Sequence, residues 1–137
     1  MKLAQLFLTL CLPLFMVTET WGATYLELRK ASVNYLIASL AIESIKKTEC
    51  AYVFRSSKLA SHSDVLSKVE KKLNSTDKNE LWSQIASYQK QMDNDIKAQL
   101  HEFRLKTDEK TACGMLSSFA INKFLESQSD WHKKLSN

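Results

Sequence analysis

Proline and glycine are almost missing from this chain, which has one Pro and two Gly in 137 residues. Pro13 and Gly22 both fall within the first 22 residues, so Gly114 stands alone in the rest. Phosphate-cradling loops of the P-loop or dinucleotide type need several glycines close together, and both are excluded. The strongest helix breakers are absent too, and no stretch alternates apolar and polar residues as a strand would. The remainder is expected to be helical almost throughout, broken by capping residues.

Catalytic signatures are equally scarce. There is no G-x-S-x-G elbow, no H-E-x-x-H pair, no Cys-x-x-Cys and no haem-attachment motif. His62, His101 and His132 fall in different expected elements and read as surface residues. His101 and Glu102 are adjacent and therefore cannot share a helix face. Asp93 and Asp95, two apart, point to different sides and read as solvated carboxylates. Met92 and His101 would lie ~13 Å apart along one helix, too far to bind one iron. No catalytic residue, metal ligand or cofactor is assigned, and the chain reads as a non-enzyme.

What is present begins with a leader. A short basic start, Met1-Lys2, precedes an apolar run from Leu3 to Val17, then a polar stretch ending at Gly22. This is the layout of a secretory signal peptide, with small residues Thr20 and Gly22 placed for cleavage after Gly22. The apolar run is short for a span of ~20 residues and contains Pro13, so it is not read as an anchor. Leu10 is too large a neighbour for Cys11 to be lipidated. The expected division is a signal peptide over residues 1–22 and one helical domain over 23–137. The destination is periplasmic or secreted, with no stable membrane insertion after cleavage.

The formal net charge is +4, and it stays there when Lys2 and Glu19 leave with the leader. The basic pairs Lys46-Lys47, Lys71-Lys72 and Lys133-Lys134 have acids nearby, so no concentrated nucleic-acid face forms. Without Cys11 two cysteines remain, and in an exported chain Cys50 and Cys113 are expected to form a disulfide. Closing that loop of about 64 residues is worth roughly 4 kcal/mol in the chain-entropy account.

The stretch Tyr25–Arg55 carries Tyr35, Leu36, Ile37, Ala38, Leu40, Ala41 and Ile42 interrupted only by Ser39. A helix apolar around most of its circumference wants neighbours on several sides, so this is expected to be the central helix. It is expected to end near Arg55, with a kink or break allowed near Thr48. A short second helix spans about Asp64–Leu73 behind a serine-rich connection. Asn74-Ser75-Thr76, which is also a glycosylation sequon, ends it. A long third helix follows from about Asp77 to Lys106, with its seam on Leu81, Trp82, Ile85, Tyr88, Met92, Ile96, Leu100 and Phe103. Thr107 is read as the cap of a fourth helix, whose tail from Ser127 is expected to fray.

Cys50 lies near the end of helix one and Cys113 near the start of helix four, so those ends must meet. The fold class that follows is all-α: an up-down-up-down four-helix bundle with one short member and one disulfide. Trp82, Tyr88, Tyr35, Phe119 and Phe124 are expected in its core, with Met92 and Met115 as filler. Tyr52, Phe54 and Trp131 are the candidates for a partner-binding surface near the rim. The function expected is binding of an unidentified protein partner, as an inhibitor, an immunity-type protein or a chaperone or adaptor of the cell envelope. The alternative is a carrier holding a small ligand or lipid between the helices.

Overall fold

The computed structural model describes residues 20–136, with side chains from residue 24 onward. The leader expected over residues 1–22 lies outside the described residues apart from the backbone of 20–22. Among the described residues there are five helices and no strand: α1 (Thr20–Lys46), a 3-10 helix (Glu49–Phe54), α2 (His62–Glu70), α3 (Ser75–Lys106) and α4 (Glu109–Ser136). No helix is long and apolar enough to cross a membrane among the described residues.

The first helix is shorter than its sequence suggests. It stops at Lys46, and Thr48 takes an extended conformation. The Thr48 hydroxyl donates to the Ile45 carbonyl at 2.6 Å and accepts from the Cys50 amide at 3.1 Å. A threonine that satisfies backbone groups on both sides offers the chain an alternative to continuing the helix. The 3-10 turn that follows tucks Cys50 and Phe54 inward. Cys50 is bonded to Cys113, with Cα atoms 5.2 Å apart.

The later boundaries are set by caps. Ser61 Oγ accepts from the Asp64 amide and starts α2 two residues before the expected Asp64. Asn74 Oδ1 accepts from the Asp77 amide at 2.9 Å, so the residue read as a stop is the start signal of α3. Thr107 closes α3 with its amide on the Phe103 carbonyl. The capping role expected of Thr107 passes to Asp108, whose Oδ1 accepts from the Thr111 amide at 2.8 Å. A side-chain acceptor here satisfies an amide left free by the first helical turn.

Helix α1 touches every other element, and its pairing with α4 is the most extensive. Tyr25 of α1 bonds Asp77 at the start of α3, and Ser44 near its end donates to Asp93 at 2.6 Å, so α1 and α3 run the same way. The Ser44 bond, with Lys47 Nζ 3.1 Å away, holds the Asp93 carboxyl below the usual carboxylate range. Trp131 reaches Ser32 and Lys134 reaches Glu27 at one end, while Cys113 meets Cys50 at the other, so α4 runs opposite to α1. Helix α2 returns the chain from His62, beside Ser39, to Asn74, whose amide donates to Tyr25 Oη at 3.2 Å.

The core lies along α1. Tyr35, Leu36, Leu40 and Ile45 are buried there, against Val65 and Val69 of α2 and Leu116, Ala120 and Phe124 of α4. Tyr35 packs edge-on against Phe124 with centroids 5.5 Å apart. Buried Ser32 and Ser39 do not disturb this, because Ser32 Oγ donates to the Leu28 carbonyl and Ser39 Oγ has the Leu36 carbonyl as a partner. Buried hydroxyls satisfied by their own helix cost little. The end of α4 does not fray: Trp131 is 3% exposed, lies 5.5 Å from the Tyr35 ring, and donates from Nε1 to Ser32 Oγ at 3.0 Å.

Candidate partner-binding groove

Tyr35 and Phe124 are buried as their spacing indicates, but three other aromatic residues are not. Trp82 is 50% exposed and Phe119 65%, and Tyr88 and Met115 are exposed with them. All four were expected in the core. The seam on α3 is real, since Leu81, Ile85, Ile96 and Leu100 are buried. It loses its cover in the middle because α4 packs mainly on α1 and only lightly on α3. An amphipathic period says which way a side chain points, not whether a neighbour arrives to cover it.

The space left between these helices is a groove of about 520 Å³. Its floor is the face of α1 carrying Asn34, Ile37, Ala38 and Ala41. One wall is Met92 and Ile96 of α3, and the other is α4 from Leu116 and Phe119 to Asp130. Asn34 also lines a separate, smaller hollow with Leu26, Arg29, Lys30, Val33 and Gln84. Lining side chains are mostly apolar, and the charges stand on the α4 rim as Lys123, Glu126 and Asp130.

The three residues expected to form a partner surface are placed as follows. Tyr52 is exposed on the 3-10 helix. Phe54 is 6% exposed and Trp131 is buried against Tyr35, so both seal the core instead. The correction has a simple cause. The 3-10 turn and the cystine draw Phe54 inward, and an intact last turn of α4 brings Trp131 over α1. Of the exposed apolar residues, Phe119 stands on the groove wall and Leu26 beside the smaller hollow.

His62 also departs from its expected surface setting. Its ring is half-buried, with Nδ1 2.7 Å from Ser39 Oγ. Ser39 Oγ lies within hydrogen-bond distance of both the Leu36 carbonyl, at 2.8 Å, and His62 Nδ1. Burial pushes the His62 pKa below its ordinary value, with nearby Glu43 acting against the shift. Ser39, His62 and Glu43 thus bring together three residue types used in nucleophilic catalysis. The geometry is not that of an accessible triad: Ser39 is 1% exposed, and Glu43 accepts from the His62 amide at 3.5 Å instead of bonding the ring. Among the described residues no three His, Cys, Asp or Glu side chains converge as a metal site.

No protein-family model, curated protein or solved structure matches this chain. The groove is therefore interpreted from its own residues.

Proposed function

We propose that this chain is an exported, non-enzymatic helical protein that binds a protein partner, with the groove between α3 and α4 as the contact surface. In this reading residues 1–22 are a signal peptide, and residues 23–137 form an up-down-up-down four-helix bundle in the periplasm or outside the cell. The partner role is that of an inhibitor, an immunity-type protein or a chaperone or adaptor of the envelope. The observation that carries it is the pairing of a groove floored by Ile37, Ala38 and Ala41 with the exposed Phe119 on its wall. Apolar surface gathered at one open face is favourable to bury against another molecule.

The test is affinity capture from the envelope fraction with the full chain and with Phe119→Ser. Phe119 is 65% exposed, so this change leaves the fold intact. One stoichiometric protein retained by the unaltered chain and lost by Phe119→Ser is the expected result. Equal capture by both removes the groove from the account. A second reading, a carrier for a small ligand or lipid, draws on the groove volume, which falls within the ~300–1,000 Å³ range of ligand sites. Native mass spectrometry that finds a lipid bound to the purified chain, displaced in Phe119→Ser, selects this reading instead.

A further inference from the structure

We propose that the occupant of the groove is an amphipathic helix of the partner bearing a Lys or Arg beside its apolar stripe, set against Glu126 and Asp130. This rests on the reading of the groove as the partner-binding surface and adds the chemistry of what fills it. The shape argument comes first. Other sides of α1 are occupied by α2, α3 and α4, and the remaining face lies at the bottom of a trough between two long helices. The α4 wall runs from Leu116 to Asp130, ~21 Å or about four helical turns at 1.5 Å per residue. Ala38 and Ala41 leave room on that floor for another helix at the ~8–10 Å interaxial separation of packed helices. An extended peptide would find no open sheet edge to pair with, because the described residues contain no strand.

Charge then selects among helices. Glu126 and Asp130 are one turn apart on the same wall, where like charges repel. Among the described residues Glu126 belongs to no ion pair, and Asp130 has only Lys134 at 3.9 Å. The facing wall offers Met92 and Ile96 and no cation. A basic side chain on the occupant is what this acidic pair lacks, and it stands out on a chain whose net charge is +4. The same pair disfavours a fatty-acid carboxylate, an anionic lipid surface or nucleic acid in this place. Lys123 stands one turn further along the wall and marks the end where the occupant carries an acidic or neutral residue.

The experiment uses two synthetic amphipathic peptides of about 18 residues, a little longer than the ~21 Å wall. They share one apolar stripe and differ only in Lys or Glu at the positions flanking it. Fluorescence anisotropy is read with the full chain, with E126Q/D130N and with Phe119→Ser, each checked for helicity and an intact cystine. The Lys peptide is expected to bind about tenfold more tightly than the Glu peptide at low salt, and E126Q/D130N to bring the two level. Phe119→Ser weakens both. Equal affinity for the two peptides, or binding of neither, overturns the proposal, as does occupation by anionic vesicles or by a second copy of the chain. If the envelope partner is still lost on Phe119→Ser while peptide charge makes no difference, the groove reading stands and the basic helix falls. If capture ignores Phe119→Ser, the groove reading itself falls.

Discussion

The aromatic residues packed where α4 meets α1 and those left exposed on α3 and α4 are used in opposite ways. Where α4 crosses the first half of α1, Trp131, Tyr35 and Phe124 interlock, and the Trp131 indole finds a hydroxyl in the core. On the wall of the groove between α3 and α4 Phe119 stands in solvent, and Trp82 and Tyr88 of α3 are exposed as well. Both sides have the same kinds of residue at helical spacing. What differs is the separation of the helices, and with it the use to which the rings are put. On one side they hold the fold together, and on the other they remain available for a contact outside it.

Substitution of a tryptophan on each side is the sharpest way to break this contrast. Trp131→Ala should cost about 3–5 kcal/mol, the usual range for emptying a buried aromatic site. Trp82→Ala should stay within about 0.5 kcal/mol, as exposed changes do. Urea unfolding of both variants checks the pair, and similar losses would mean that the two sides are not built differently. Next in size is the cystine, which ties the 3-10 helix to α4 at the far end of the same seam. Replacing Cys50 and Cys113 together by Ser should lower stability by about 2–4 kcal/mol, read as a fall in Tm under non-reducing conditions. A loss this size places the cystine with Trp131, among the contacts that hold the seam.

His62 gives a smaller effect with a definite sign. Its pKa in the folded protein is lowered, chiefly by burial, so the unfolded chain binds the proton more readily. The stability tied to the neutral ring is therefore complete above the unfolded value of about 6.5 and is lost as pH falls through the lower folded value. Unfolding curves at a series of pH values should slope downward below about 6.5, and His62→Gln should flatten that slope. An unchanged profile would show that burial does not hold the ring in its neutral form. The smallest effect is on α4 itself. Ser117 is buried with no hydrogen-bond partner for its hydroxyl, so Ser117→Ala should be neutral or stabilising by up to about 1 kcal/mol. A clear destabilisation in thermal melts would mean that the seam side of α4 depends on that hydroxyl.

Much of the architecture could be read before any coordinates. The lack of Pro and Gly required helices, the two cysteines beyond residue 22 pointed to each other, and their positions set the end of α1 beside the start of α4. The break near Thr48 was open to the sequence because threonine competes with the helix backbone, yet the length of the 3-10 turn was not. Caps moved by one or two residues, as with Asp108 in place of Thr107, since neighbouring polar residues offer the same acceptor. The groove was far less legible. Phe119 is spaced like the buried Leu116 and Ala120, and nothing local distinguishes an edge of the covered stripe from its centre. His62 and Ser39 are 23 residues apart, and no pattern in the chain joins them.

Helix content, cap chemistry and the choice of covalent partner arise from residues within a few positions of one another, or from simple scarcity, and so they are written in one dimension. Which rings are covered depends on how far two helices of 32 and 28 residues lie apart along their length. That separation is a balance of all their contacts with α1 at once, and no single stretch encodes it. Packing therefore decided that Trp131 belongs to the core and Phe119 to the rim of an open groove.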